Sequence, residues 1–87
     1  MADRGSRTSE GGPVKRSVMI AGHATSVTLE PVFWAALRKA AAEECLPLSA
    51  LIARIDADRI RGDATVNLAS AIRVWLFLRI SEAGSGS

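Results

Sequence analysis

A chain of 87 residues with 48% hydrophobic residues is enough for one small domain and too apolar to be wholly disordered. Its longest apolar run, Val74-Trp75-Leu76-Phe77-Leu78, falls far short of the roughly 18 residues of a membrane span, and its single cysteine, Cys45, excludes an intrachain disulfide. The formal net charge of +2 lies wholly in residues 1–16, where Arg4, Arg7, Lys15 and Arg16 outnumber Asp3 and Glu10; the rest of the chain is balanced.

Residues 1–13 contain Gly5, Gly11, Gly12 and Pro13 among polar side chains and are expected to be a flexible basic arm. The arm has no apolar stretch after its arginines, unlike a secretory signal, so the expected compartment is a reducing cytoplasm. From Lys15 to Ile20, Val18 and Ile20 alternate with Ser17 and Met19, and Ala21-Gly22 interrupts the pattern. From His23 to Leu29 the alternation is clearer. Thr25, Val27 and Leu29 fall on one face and Ala24, Ser26 and Thr28 on the other, as in a strand with one buried face.

Glu30-Pro31 ends that strand and opens a helix, since proline suits a first turn that needs no N–H. The spacing predicts a helix from about Pro31 to Cys45, with Phe33, Trp34, Leu37, Ala40, Ala41 and Cys45 in its apolar stripe. This stripe makes Cys45 a buried, inert thiol by expectation. Leu46-Pro47 stops the helix. A second helix is predicted over about Leu48 to Ile60, lined by Leu48, Leu51, Ile52 and Ile55 and ended by Gly62-Asp63. A third runs from about Leu68 to Ile80, with Asn67 as N-cap. Leu68, Ala71, Ile72, Trp75 and Leu76 share one face of it, yet Val74, Phe77 and Leu78 make the other sides apolar too. Such a helix must be buried on several sides, which points to a second subunit. The folded unit is expected over residues 14–80, followed by a flexible tail at 81–87.

The strand needs a partner for its backbone groups. One option is a hairpin with Ser17–Ile20 through Ala21-Gly22; the other is the same strand from a second copy, paired antiparallel across a two-fold axis. The second option also covers the surplus apolar surface of the last helix and is the expected one. The fold class is therefore mainly α with one short strand, in an intertwined homodimer.

Ser26-Val27-Thr28-Leu29-Glu30-Pro31, Phe33-Trp34 with Leu37, and Leu46-Pro47-Leu48-Ser49-Ala50-Leu51-Ile52 together resemble the ribbon-helix-helix superfamily, of the methionine-repressor and Arc type. More narrowly, Gly22-His23 through Phe33-Trp34, with Asn67-Leu68, Ser70-Ala71 and Arg73-Val74, is similar to a bacterial branch of short single-domain proteins. The resemblance covers about residues 15–78. It implies an intersubunit antiparallel ribbon that enters the DNA major groove, and with it sequence-specific duplex binding, as in a small transcriptional repressor.

On that implication Ala24, Ser26 and Thr28 are the base-reading candidates, through two hydroxyls and two methyl groups. The start of the second helix, at Pro47, Leu48 and Ser49, is the candidate phosphate site. Pro47 departs from the usual Ser or Thr there and has no N–H to give. Lys15 and Arg16 are candidate phosphate contacts, and His23 a hydrogen-bonding residue at the ribbon's start. Thr25, Val27, Leu29, Trp34, Ile52, Ile55 and Trp75 are the candidate dimer-interface residues. No metal-spaced cluster, Gly-rich phosphate loop or nucleophile–base arrangement occurs, so neither a metal, a cofactor nor catalysis is expected. The alternative reading is a protein-interaction module or antitoxin-type partner that keeps the fold with weak or no DNA binding.

Overall fold

The structure is a computed structural model that describes residues 12–85, with side chains as far as Glu82. The expectation for the basic arm falls on residues outside this range, save for Gly12 and Pro13. Strand β1, Val14–Ile20, pairs antiparallel with strand β2, His23–Leu29. Three helices follow: α1 over Pro31–Glu43, α2 over Leu48–Arg61 and α3 over Leu68–Ser85.

The expectation of one strand is thus corrected: β2 has a partner within its own chain. The register runs from Val14 opposite Leu29 to Ile20 opposite His23, leaving a two-residue turn. Ala21 at φ 52 and Gly22 at φ 83 both occupy the left-handed region, as a turn matching the twist of a tight hairpin requires. Glycine takes that conformation freely; alanine does so at a cost of about 1 kcal/mol. Packing offsets the cost. Helix α2 lies against β1 and α3 against β2, so the hairpin is not the bare two-stranded ribbon that water would melt. Trp34 fastens it further, donating from Nε1 to the Val14 carbonyl at 2.9 Å.

The core is a single apolar cluster. Val27 and Leu29 of β2 meet Trp34 and Leu37 of α1, Leu51, Ile52 and Ile55 of α2, and Ile72 and Leu76 of α3. The described residues include no buried polar or charged side chain.

Helix ends explain two differences from the sequence reading. Helix α1 stops at Glu43 because the chain turns left-handed at Cys45, φ 58. The Leu46 amide bonds to the Ala41 carbonyl at 2.9 Å and the Cys45 amide to Ala42 at 3.1 Å, the paired closure of a helix end that usually carries glycine. Cys45 therefore sits beyond the apolar stripe and is exposed, which overturns its expected burial. At the other end of the fold, Asn67 caps α3, its Oδ1 accepting from the Ser70 amide at 2.8 Å. Helix α3 runs past the expected end at Ile80 to Ser85.

Candidate nucleic-acid interface

Side chains alternate across a strand, and this alternation divides the hairpin into two faces. Val14, Val18 and Ile20 of β1 and Thr25, Val27 and Leu29 of β2 turn toward the helices. The outer face carries Lys15, Ser17 and Met19 from β1 and Ala24, Ser26 and Thr28 from β2, all exposed. The register sets them in cross-strand pairs: Lys15 with Thr28, Ser17 with Ser26, Met19 with Ala24. Three hydroxyls, one cation and two apolar groups share this face, and it holds no carboxylate.

Of the six outer residues, sequence reasoning singles out Lys15, Ala24, Ser26 and Thr28. It misses Ser17 and Met19, whose signal is present in the alternation of residues 17–20 but is not joined to the turn. Lys15 and Arg16 part company. Arg16 lies opposite Val27 on the inner side, with its guanidinium 5.6 Å from the centroid of the Trp34 ring. His23 is exposed at the start of β2, opposite Ile20 and next to the turn.

The start of α2 has Pro47 as its cap, with no side-chain hydrogen bond. The Ala50 and Leu51 amides both bond to the Pro47 carbonyl at 3.1 Å. The first two helical amides, of Leu48 and Ser49, are those a helix cannot satisfy by itself. Leu48 is half-buried and packs against the core; Ser49 is half-buried.

The residues expected at a dimer interface are divided by burial. Val27, Leu29, Trp34, Ile52 and Ile55 are at most 2% exposed within the single chain. They belong to the apolar core of the single chain. Thr25 and Trp75 are half-buried, and the Arg79 guanidinium lies 5.4 Å from the Trp75 ring centroid.

Ion pairs tie the frame that carries the hairpin. Arg73 of α3 donates from Nε and Nη2 to Glu30 Oε1, at 3.1 and 3.0 Å, where β2 passes into α1. The Glu30 carboxyl is held below its ordinary range by a hydrogen bond from its own backbone N–H and by the Arg73 guanidinium. Arg79 reaches back to Glu43 and Glu44 at the end of α1, each at 2.9 Å, and this pairing lowers the Glu43 pKa. Arg59 bonds Asp56 and closes the loop before α3 through the carbonyls of Ala64 and Val66. Among the described residues no three His, Cys, Asp or Glu side chains gather as a metal site would require, and no helix is long and apolar enough to cross a membrane.

The hairpin, with its uncharged-to-basic outer face, is laid on three helices. The chain matches the family described as a ribbon-helix-helix domain over residues 13–80 and belongs to that family. Its members are typically DNA-binding transcription regulators or antitoxins and are generally not enzymes. Among solved structures, the chain is similar to that of an uncharacterized protein from Bordetella pertussis Tohama I, at 32% identity and a TM-score of 0.74. That likeness covers 88% of this chain and 62% of that one, so the chain spans less than two thirds of the length of the structure it matches. No protein of curated function matches.

Proposed function

We propose that the protein binds duplex DNA sequence-specifically as a homodimer and acts as a small transcriptional repressor. The observation that carries this reading is the outer face of the hairpin, where Lys15, Ser17, Ser26 and Thr28 stand exposed without a neighbouring carboxylate.

The two-residue turn makes Ile20 and His23 a hydrogen-bonded pair, so bonded pairs recur at every second position. The backbone groups of Ala24, Ser26 and Thr28 then point away from β1, toward the open edge of β2. That edge carries no formal charge between His23 and Leu29, whereas β1 carries Lys15 and Arg16, charges that deter edge pairing. Two copies of β2 therefore pair about a two-fold axis at Ser26, and the intersubunit ribbon lies at the centre of a four-stranded sheet.

Width decides what each strand touches. Strands lie about 4.8 Å apart, so the outermost of four are about 14 Å apart. The major groove is about 12 Å wide. The central β2 pair enters it and presents Ala24, Ser26 and Thr28 to base edges. The β1 strands ride over the phosphate walls, with Lys15 against a phosphate on each side.

Titration of duplex binding against salt tests this, together with selection of bound sites from a random duplex pool. Affinity falls steeply with salt, and the selected sites are inverted repeats. Lys15→Ala weakens binding to all sequences alike and lowers the slope of log K against log salt by about 2 per dimer, at about 0.9 per phosphate. A protein-interaction module or antitoxin-type partner is the second reading; it is favoured by Pro47, which brings no hydroxyl to the cap of α2. Absence of duplex binding at low salt selects that reading and refutes the first.

A further inference from the structure

Helix α3 is inverted for a helix at a protein surface. Its inner side buries Ile72 and Leu76 at 0% and 2% exposure, yet its outer side holds Val74, Phe77 and Leu78 at 55%, 68% and 51%. At 100° per residue, Ser70, Ala71 and Ser81 join those three in one stripe. No charged side chain falls within it. The two arginines of this helix are turned back onto carboxylates of their own chain, Arg73 onto Glu30 and Arg79 onto Glu43 and Glu44. A cavity of about 310 Å³ runs beside the stripe, lined by Ile55, Val66, Trp75 and Leu78 and bordered by Asp58, Arg59 and Asp63.

We propose that this stripe seats on the same stripe of a second copy, making α3 the second half of the interface that the β2 edge begins. The proposal rests on the homodimer reading. Three observations choose a second copy as the occupant. First, α3 packs against β2, the strand whose far edge is open, whereas α2 packs against β1. Second, the stripe is self-complementary. An antiparallel crossing centred on Val74 lays Phe77 and Leu78 of each copy over Ala71 and Ser70 of the other, large groups onto small. An uncharged stripe also has no charge pattern with which to select a different partner. Third, area is short without it. A stable interface takes about 800 Å² per partner, more than a seven-residue strand edge supplies. The stripe adds to it, with Phe77 an aromatic of a kind that buries roughly 150–250 Å².

The test is sedimentation equilibrium of the full chain from about 1 to 100 µM, with far-UV circular dichroism to verify folding. Wild type is expected to be a dimer. Phe77→Glu is expected to raise the dimer Kd at least about 100-fold without loss of helicity, because a charge would have to enter an uncharged contact. Met19→Glu, on the outer face of β1, is expected to leave the dimer intact. A folded Phe77→Glu protein that dimerises as wild type does overturns the role of α3 and leaves the homodimer standing. A monomeric wild type overturns the homodimer itself. Should Phe77→Glu fail to fold, Val74→Cys in a Cys45→Ser background decides. Mild oxidation is expected to cross-link it as a dimer, and Met19→Cys in the same background to stay single. Absence of the Val74→Cys cross-link overturns the crossing.

Discussion

Thr28 and Leu29 are neighbours in sequence with opposite duties, and replacing each by alanine separates folding from recognition. Leu29 is 0% exposed, between the hairpin and the helices. Full burial of a leucine side chain stabilises by about 1.5–3 kcal/mol. The cavity left by Leu29→Ala adds to that loss, for a total of about 3–5 kcal/mol. A small domain has about 5–15 kcal/mol in all, so Leu29→Ala removes a large share. At about 4–8 °C per kcal/mol for a domain of this size, its Tm falls by more than about 12 °C. Thr28 is exposed on the other side of the sheet, and Thr28→Ala changes stability by no more than about 0.5 kcal/mol. Its effect lies in DNA binding, where a lost base contact costs about 1–3 kcal/mol at each half-site. Thermal melts at one fixed protein concentration give the first quantity, since melting of a dimer depends on concentration. Duplex titration well below the Tm gives the second. A Thr28→Ala protein that unfolds, or a Leu29→Ala protein that melts within about 3 °C of wild type, would refute the assignment of the two faces.

The hairpin turn gives a second prediction: Ala21→Asn relieves the left-handed alanine and raises stability by about 0.5–1 kcal/mol, while Gly22→Ala strains the turn and lowers it by about 1–2 kcal/mol, both read by urea denaturation. Cys45→Gly places the residue a left-handed helix end prefers, and a stability gain of about 0.5–1 kcal/mol is expected in the same assay. Glu30 predicts a pH effect. Its pKa in the folded protein lies below the ordinary 4.5, so its contribution is complete above that value and is lost as pH falls through the lowered one. Glu30→Gln should melt lower than wild type at pH 7, and the difference should shrink as pH falls below 4.5. Arg73→Ala added to Glu30→Gln should cost less than the two single changes summed, since both remove one contact.

Much of this is legible in the sequence. The alternation of residues 23–29 identifies both faces of β2, and the spacing of apolar residues finds all three helices. The hairpin ranks second in the sequence for two physical reasons. Ala21-Gly22 lacks the asparagine that usually announces such a turn, and Arg16 occupies an inward position that an apolar residue would normally mark. Its stacking on Trp34 is a tertiary contact that no local pattern contains. Cys45 is misplaced by periodicity, which extends a helix until something stops it, and here the stop is a backbone dihedral rather than a glycine. The Arg73–Glu30 pair joins residues 43 positions apart, beyond the reach of any spacing rule. Apolar character alone does not tell a chain's own core from a surface shared with another copy.

In the proposed dimer, strand β1 also sets a limit on growth. A sheet with two unguarded margins can add chain after chain and become a fibre. Here Lys15 and Arg16 stand on one margin of each hairpin, so joining two molecules through β2 leaves charge at both ends of the finished sheet.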